Sequence, residues 1–276
     1  MIILNNKNLT ILQNLLIMLQ CLKDNKETKN EKEIYPPPYR LKAFTLSEVL
    51  ITLVIIGVIS AITVPVLYAD FKKEELRVGF TKAYSDLDNF AHKFYVDNGQ
   101  SFSEYSFENG YGNSYKAMQK YIYKAYDKAI NQGMRKAEGY KYFYKTMNGT
   151  DTFPTCDDYG LFVGPGGRFY GMNNPPRENE NGPVVCVDTN GAKGPNKYGY
   201  DYFLFVFTLD GRAIPMGMDY PNNTKDLDMG YNFFYKGASR CNKNGSSMYS
   251  NTTCAYYALM DKHPTQEGKS YWKDFI

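Results

Sequence analysis

The sequence has few histidines, and its cysteines do not have the spacing of metal sites. The two histidines, His92 and His263, lie far from any cysteine, and none of the five cysteines forms a CxxC pair. Structural zinc sites need clusters of these residues, so the composition argues against one. The sequence also shows no activated nucleophile, no carboxylate pair and no phosphate-binding loop. We therefore predict that the protein is not an enzyme.

A basic stripe is missing as well. The formal net charge is +3, but seven of the 32 basic and four of the 29 acidic residues precede residue 44, so 25 of each sign remain after it. Proteins that bind DNA or RNA face its phosphates with clustered Lys and Arg. The neutral remainder predicts no specific nucleic-acid partner.

Aromatic residues and glycine are abundant. The chain has 26 tyrosines and 23 glycines, most of them after residue 95, and 43% of its 276 residues are hydrophobic. This length and composition suffice for a buried core. The mixture favours a turn-rich domain with β-strands.

The longest apolar run is KAFTLSEVLITLVIIGVISAITVPVLY at residues 42–68. It has no charge between Val49 and Leu67, which is close to the ~20 residues that a helix needs to span hydrocarbon. Arg40 and Lys42 precede it. The positive-inside rule then predicts a single membrane-spanning helix with the C-terminus outside.

Glu48 is an unusual residue for such a helix. A carboxylate in lipid costs roughly 2.5 to 3.5 kcal/mol. Either Glu48 extends to the lipid headgroups, or it pairs with a positive group. Gly57 and Pro65 also lie in the run, where both residue types are tolerated and can bend a helix.

The segment AFTLSE at residues 43–48, followed by the uncharged run with Gly57 and Pro65, resembles the prepilin signal of type IV pilins and type II secretion pseudopilins. The resemblance covers residues 40–98 approximately. It implies that a prepilin peptidase cuts between Ala43 and Phe44 and that the new terminus of Phe44 is methylated. In this family the residue before the cut is usually glycine, whereas here it is Ala43.

The resemblance also implies how the subunit assembles. Glu48 of one subunit would neutralise the amine of Phe44 of another inside an apolar bundle, which sets register more than it adds stability. Gly57 and Pro65 lie where the helices of this family are locally loosened. The implied partners are the prepilin peptidase, other pilin or pseudopilin subunits and the inner-membrane assembly platform. The implied location is the inner membrane, then a pilus or a periplasmic pseudopilus.

The implied domains are a leader at residues 1–43, a transmembrane and assembly half-helix at 44–67, an amphipathic half-helix at 68–98, and an ectodomain at 99–276. A leader of 43 residues is long for the family. Either translation starts downstream, for instance at Met18, or the leader has a role of its own.

Hydrophobic periodicity predicts the fold after the membrane run. Apolar residues at steps of three and four predict an amphipathic helix that closes at Asn98-Gly99: Leu76, Phe80, Ala83, Leu87, Phe90 and Phe94. Residues 99–114 are predicted as a loop and residues 115–148 as one or two helices.

Short aromatic and β-branched runs predict an antiparallel sheet, with a hairpin turn at residues 209–212: YGLFVG, GRFYGM, PVVCVD, YDYFLFVFT and RAIPMG. The rings of Phe203, Phe205 and Phe207 should face the helix. The tail from Asp219 to Ile276 is predicted as loops with little sheet. The predicted fold class is α+β, a long helix packed on a C-terminal antiparallel sheet as in pilins.

Four cysteines follow the membrane run, and three pairings are open to them. The local pairing joins Cys156 to Cys186 and Cys241 to Cys254, and each bond would contribute about 2 to 4 kcal/mol. The second bond encloses the polar loop NKNGSSMYSNTT. That loop is similar to the disulfide-bounded loop near the C-terminus of many pilins, which implies subunit contacts or adhesion. Simple stapling of a long loop explains the same bond and is the preferred interpretation.

The segment DTNGAKGPNKYGYD at residues 188–201 offers oxygen ligands for calcium. The candidate ligands are Asp188, Asn190, Asn196 and Asp201. Some pseudopilins bind calcium in a loop near the sheet, so the resemblance favours this site. A plain Asn-Gly turn between two strands explains the same residues.

These features predict a pilin-like structural subunit of a type IV pilus or a type II secretion pseudopilus. Pilus, pseudopilus and DNA-uptake filament remain open, and the bulky head favours a minor subunit. The alternative is a signal-anchored binding or adhesion domain that does not polymerise, and an extracellular enzyme is a third interpretation.

Overall fold

The computed structural model describes residues 44–124, 144–156, 161–173, 176, 178–221 and 240–276. The chain divides into two compact units, Met1–Gly57 and Val58–Ile276. The described helices are α1 (Leu46–Asn98), α2 (Phe102–Asn109), α3 (Tyr111–Lys124) and α4 (Cys254–Met260). The described strands are β1 (Tyr144–Lys145), β2 (Asp151–Thr152), β3 (Phe162–Val163), β4 (Phe169–Asn173), β5 (Val184–Asp188), β6 (Tyr202–Phe207) and β7 (Ala213–Pro215). The α+β prediction is confirmed.

The main sheet is an antiparallel meander in the order β3-β4-β5-β6-β7, so each strand pairs with its neighbours along the chain. Four of these strands lie within the runs that predicted them, and β4 extends one residue beyond its run, to Asn173. The predicted hairpin turn joins β6 to β7, where the amide of Thr208 donates to the carbonyl of Arg212 at 2.9 Å. Gly211 has a φ of 79° there, and a Cβ at this position would lie 2.9 Å from Cβ of Tyr95 on α1.

The core lies between α1 and one face of this sheet. The predicted stripe of α1 is buried from Phe80 to Phe94, and Leu76 packs partly buried against it. Phe80 lies edge-on to Phe203, with ring centroids 4.6 Å apart, and Phe90 lies 5.3 Å from Phe207. The alternation in β6 therefore directs its rings to the helix as predicted. Each such ring contributes roughly 1.5 to 3 kcal/mol by leaving water.

The other face of the sheet is also covered. A second cluster of buried side chains contains Tyr144, Cys156, Leu161, Phe169, Val184, Cys186, Tyr198, Tyr202, Leu204 and Met216. Strand β1 pairs with β2 through Tyr144 and Thr152. The helical prediction for residues 115–148 holds to Lys124 and is wrong at β1, while residues 125–143 lie outside the described residues.

The predicted loop at 99–114 is wrong. Ser101 caps α2: its side chain accepts from the amide of Glu104, and the Glu104 side chain accepts from the amide of Ser101. This S-x-x-E arrangement is a capping box. Gly99, with φ 70°, and Gly110, with φ 74°, mark helix ends instead of a loop, and Phe102 packs 5.0 Å from Phe94.

The C-terminal tail has more structure than predicted. It contains helix α4, and a helical turn at Tyr271–Phe275 returns to the core. The hydroxyl of Tyr271 donates to the carbonyl of Gly199 at 2.6 Å, and the indole of Trp272 donates to the carbonyl of Ala258 at 2.9 Å. No strand lies in residues 240–276, which agrees with little sheet, and residues 222–239 lie outside the described part.

Candidate functional site

The start of α1 is closed by Thr45 and Glu48. The carboxylate oxygen Oε2 of Glu48 accepts from the amide of Thr45 at 2.9 Å and from its hydroxyl at 2.8 Å. In return, the amide of Glu48 donates to the Thr45 hydroxyl oxygen at 3.3 Å. The pair is a reciprocal capping box, and an acid in the first turn also suits the helix dipole.

This local role of Glu48 was missed from the sequence, although the T-x-x-E spacing signals it. In this structure Glu48 has partners within its own turn, so its charge is stabilised before any other subunit is present. Phe44, which immediately precedes Thr45, is 84% exposed. Ala43, the other residue of the predicted cleavage site, lies outside the described residues.

The first part of α1 is apolar and bare. Large hydrophobic side chains are exposed on all sides of it: Leu46, Val49, Leu50, Ile51, Leu53, Val54, Ile55, Ile56, Val58, Ile62, Val64, Val66 and Leu67. The helix continues through Gly57 and Pro65 without a break. Within the described residues, nothing except the neighbouring backbone of the helix itself lies within 4 Å of the position that a Cβ of Gly57 would take. By length and composition α1 can cross a membrane.

Residues 40–64 match the profile of the prokaryotic N-terminal methylation motif. The chain carries a type IV pilin-like prepilin signal. The prepilin signal contains the predicted cleavage site, Glu48 and Gly57, and it ends one residue before Pro65. Together with the bare apolar helix it indicates a processed, membrane-anchored protein. Comparisons with curated proteins and with solved structures return no match.

Both predicted disulfides are present in the structure. Cys156 is bonded to Cys186 in the centre of β5, and Cys241 is bonded to Cys254 at the start of α4. The loop closed by the second bond contacts the β1–β2 hairpin. The backbone amide of Met147, which lies between β1 and β2, donates to the side-chain oxygen of Asn251 at 3.0 Å. The loop therefore belongs to the folded head.

The four predicted calcium ligands come together in one loop between β5 and β6. Asp201 lies at its centre, fully buried. Its Oδ1 accepts from the amide of Lys197 at 2.6 Å, and its Oδ2 accepts from the amide of Asn196 at 2.8 Å and from the side chain of Asn190 at 3.2 Å. Asp188 Oδ1 accepts from the amide of Asn190 at 3.2 Å.

The two acids of this loop are costly to ionise. Burial, and then the charge of Asp201, raise the pKa of Asp188, while the amide of Asn190 acts in the opposite direction. Burial also raises the pKa of Asp201, against the hydrogen bonds from the amides of Lys197 and Asn196. A proton or a cation between the carboxylates would relieve this cost.

The oxygens available for a cation are few. Among the residues that the structure describes, no three His, Cys, Asp or Glu side chains gather to hold a metal ion. The side-chain amide nitrogen of Asn196 can donate to the carbonyls of Lys193 at 2.9 Å and Gly191 at 3.0 Å. The side-chain oxygen Oδ1 of Asn190 is buried without a hydrogen-bond partner in the described part of the chain. The loop is therefore held by hydrogen bonds, and calcium binding stays a prediction.

The loop also needs Gly191. Its φ is 65°, and a Cβ there would collide with the carbonyl oxygen of Gly167. Because the two backbones come so close together, this position of the segment requires glycine.

Proposed function

We propose that the protein is a pilin-like structural subunit. A prepilin peptidase cuts it between Ala43 and Phe44, the amine of Phe44 is methylated, and the N-terminal helix packs with those of other subunits into a type IV pilus or a type II secretion pseudopilus. Before assembly the subunit is anchored in the inner membrane with its head outside. It catalyses no reaction, since proteins with this motif are structural subunits.

One observation carries the proposal: the prepilin signal includes the start of a helix that has two different halves. The half before residue 68 has exposed apolar side chains all around it, whereas Phe80, Leu87 and Phe94 in the later half are buried against the head. The first half therefore needs lipid or other helices to cover it. A bundle of identical helices provides that cover once the subunit leaves the membrane.

Glu48 suits such a bundle. Cleavage at Ala43 turns the backbone nitrogen of Phe44 into a positive amine, next to the Thr45 amide that Glu48 already contacts at 2.9 Å. Removed from water, that amine and the carboxylate stabilise each other only as a pair. We infer that Glu48 caps its own helix in the precursor and also pairs with the Phe44 amine of a neighbour in the filament.

The domains follow from this scheme. Residues 1–43 are the leader that is removed, 44–67 anchor the subunit and then join it to its neighbours, 68–98 connect this anchor to the head, and 99–276 complete the head. Prepilin peptidase, fellow subunits and the assembly platform in the inner membrane are its proposed partners.

The N-terminal mass of the protein from its host membrane tests the processing step. We expect a terminus at methylated Phe44. An intact leader, or a terminus elsewhere, would contradict the proposal and favour a membrane-tethered binding domain that does not polymerise.

Recovery in sheared filaments tests assembly. We expect Glu48→Gln to be processed but lost from filaments, because glutamine can keep a cap but cannot neutralise an amine. Glu75→Gln is the matched control, since Glu75 lies on the same helix in an exposed pair with Lys72 at 2.7 Å. Equal recovery of both variants would contradict the role of Glu48.

A further inference from the structure

Lysines gather at the end of the head that follows the apolar run of α1. The ammonium of Lys73 on α1 donates to the carbonyl oxygen of Lys273 at 2.8 Å. The ammonium of Lys243 lies 5.3 Å from the ring centre of Phe275, in the same helical turn. The turn Tyr271–Phe275 thus holds Lys73 and Lys243 at one surface.

Lys197 extends this group, because the carbonyl of Gly199, two residues further along the chain, accepts from the hydroxyl of Tyr271 in the same turn at 2.6 Å. Its ammonium lies 4.5 Å above the ring centre of Tyr200. Burial and the charge of Lys243 lower the pKa of Lys197, and burial and the charge of Lys73 lower the pKa of Lys243. Lys73, Lys197 and Lys243 are called the lysine cluster below.

No ion pair within the described residues neutralises the lysine cluster. Two neighbouring lysines have partners of their own: Lys72 pairs with Glu75 at 2.7 Å, and Lys145 pairs with Asp151 at 3.7 Å. The members of the lysine cluster form no such ion pair within the described ranges, although the more distant charge of Asp201 acts favourably on Lys197. Gathered like charges oppose one another, and an anion from outside would remove that cost.

The position of Lys73 along α1 indicates which anion binds the lysine cluster. Lys73 follows Leu67, which lies near the end of the uncharged run, by about 9 Å along the helix at 1.5 Å per residue. Between them Tyr68 and Phe71 are 61% and 66% exposed. Aromatic rings followed by cations are typical of the boundary between hydrocarbon and water, where lipid phosphates lie.

We propose that the lysine cluster binds the phosphates of anionic phospholipids in the outer leaflet while the subunit is anchored in the membrane. The inference rests on the proposed function, which puts the head outside the membrane beside its anchor. Lysine ammonium groups bind phosphate as mobile point charges, so the surface needs no shaped pocket. The contact orients the head on the membrane before assembly.

Lysine modification of the whole protein in nanodiscs tests this proposal. One nanodisc contains only phosphatidylcholine and the other also contains phosphatidylglycerol, and neither lipid has a primary amine that would react. Rates of reductive methylation are followed for each lysine by peptide mass. With phosphatidylglycerol we expect the lysine cluster to react roughly fivefold more slowly. Salt should abolish the protection.

Lys116 and Lys120 are internal controls. Both are exposed on α3 and line a cavity with Phe94 and Asn98, about 30 Å along α1 from Lys73 at 1.5 Å per residue. Their rates should be the same in the two nanodiscs. Native mass spectra should show fewer retained phosphatidylglycerol molecules on a Lys73→Gln/Lys243→Gln variant than on a Lys116→Gln/Lys120→Gln variant.

Two results would overturn the proposal. Equal rates for the lysine cluster in both nanodiscs would show that anionic lipid is not bound. Equal protection by inorganic phosphate in phosphatidylcholine nanodiscs would assign the surface to free anions. The readout uses unassembled protein and needs no filament, so its failure is distinguishable from a wrong N-terminal mass or lost assembly, which concern the proposed function.

Discussion

Arg168 and Asp86 join the sheet to α1, with Nη1 of the guanidinium 2.7 Å from Oδ2 of the carboxylate. The side chain of Arg168 is only 6% exposed and that of Asp86 is 21% exposed. Arg168 immediately precedes β4, so the ion pair aligns that strand with the second half of α1. The strength of such a pair lies in the cost of removing one partner from it.

Removal of the acid should therefore be costly. We expect Asp86→Ala to lower the free energy of unfolding by about 3 kcal/mol, because the buried guanidinium of Arg168 loses the carboxylate that lies 2.7 Å away. Glu75→Ala removes an exposed pair and should cost at most about 1 kcal/mol. Urea unfolding of the purified protein in detergent, followed by near-UV circular dichroism, measures both. Equal costs would show that the Arg168 pair is no more than a surface contact.

The ring of Phe80 should contribute more to the free energy of unfolding than any exposed side chain of α1. It is 1% exposed and lies against Phe203 and Trp272. We expect Phe80→Ala to lower the free energy of unfolding by about 3 to 5 kcal/mol through lost burial and a cavity. Val78→Ala, at a position 56% exposed, should change it by no more than about 0.5 kcal/mol. The same urea titration decides, and a similar loss for both variants would refute the assigned core.

A Thr45→Ala variant distinguishes the helix-capping role of Glu48 from its role in assembly. Thr45→Ala removes the hydroxyl that bonds to Glu48 at 2.8 Å but keeps the carboxylate and the amine of Phe44. We expect the first turn of α1 to fray, as seen by faster amide exchange, while incorporation into filaments is retained. Glu48→Gln should give the opposite result. If Thr45→Ala lost assembly as completely as Glu48→Gln, the cap itself would be needed for assembly and the two roles could not be separated.

The loop acids should make stability depend on pH. The pKa values of Asp188 and Asp201 are raised by burial, so the folded state binds protons that the unfolded state has already lost. Stability is then greatest at low pH and falls as these groups ionise. Without divalent ions we expect Tm to fall as pH rises from about 5 to about 8. The fall should be smaller in Asp188→Asn, and an unchanged slope in this variant would contradict the assignment.

The same titration tests the calcium site. Calcium held by Asp188 and Asp201 would raise Tm at high pH and flatten the slope, since the cation replaces the missing protons. That rise should vanish in Asp201→Asn and persist in Asp210→Asn, whose acid lies in the β6–β7 turn and accepts from Tyr220 at 2.6 Å. An unchanged Tm with calcium would leave the loop as a turn held by hydrogen bonds.

Local sequence patterns were sufficient to predict the helix and strands in which buried residues recur at regular spacing. The spacing from Leu76 to Phe94 predicted the buried face of α1, and the alternation at Phe203, Phe205 and Phe207 predicted the inward face of β6. The prepilin signal could be identified from the sequence because its residues lie close together in the chain, in a fixed order and spacing. The two disulfides agreed with the pairing of nearest cysteines, because each closes a short stretch of chain.

Other features depended on residues distant in the chain, and only the tertiary structure decided them. The S-x-x-E spacing marks the start of α2 locally, but the packing of Phe102 against Phe90, Phe94 and Phe207 joins residues that are distant in the chain. Asp201 is the centre of a hydrogen-bonded loop, a role that composition does not distinguish from that of a calcium ligand. Lys73, Lys197 and Lys243 form one surface only after the C-terminal turn packs on α1, because charge density depends on distance in space and not along the chain.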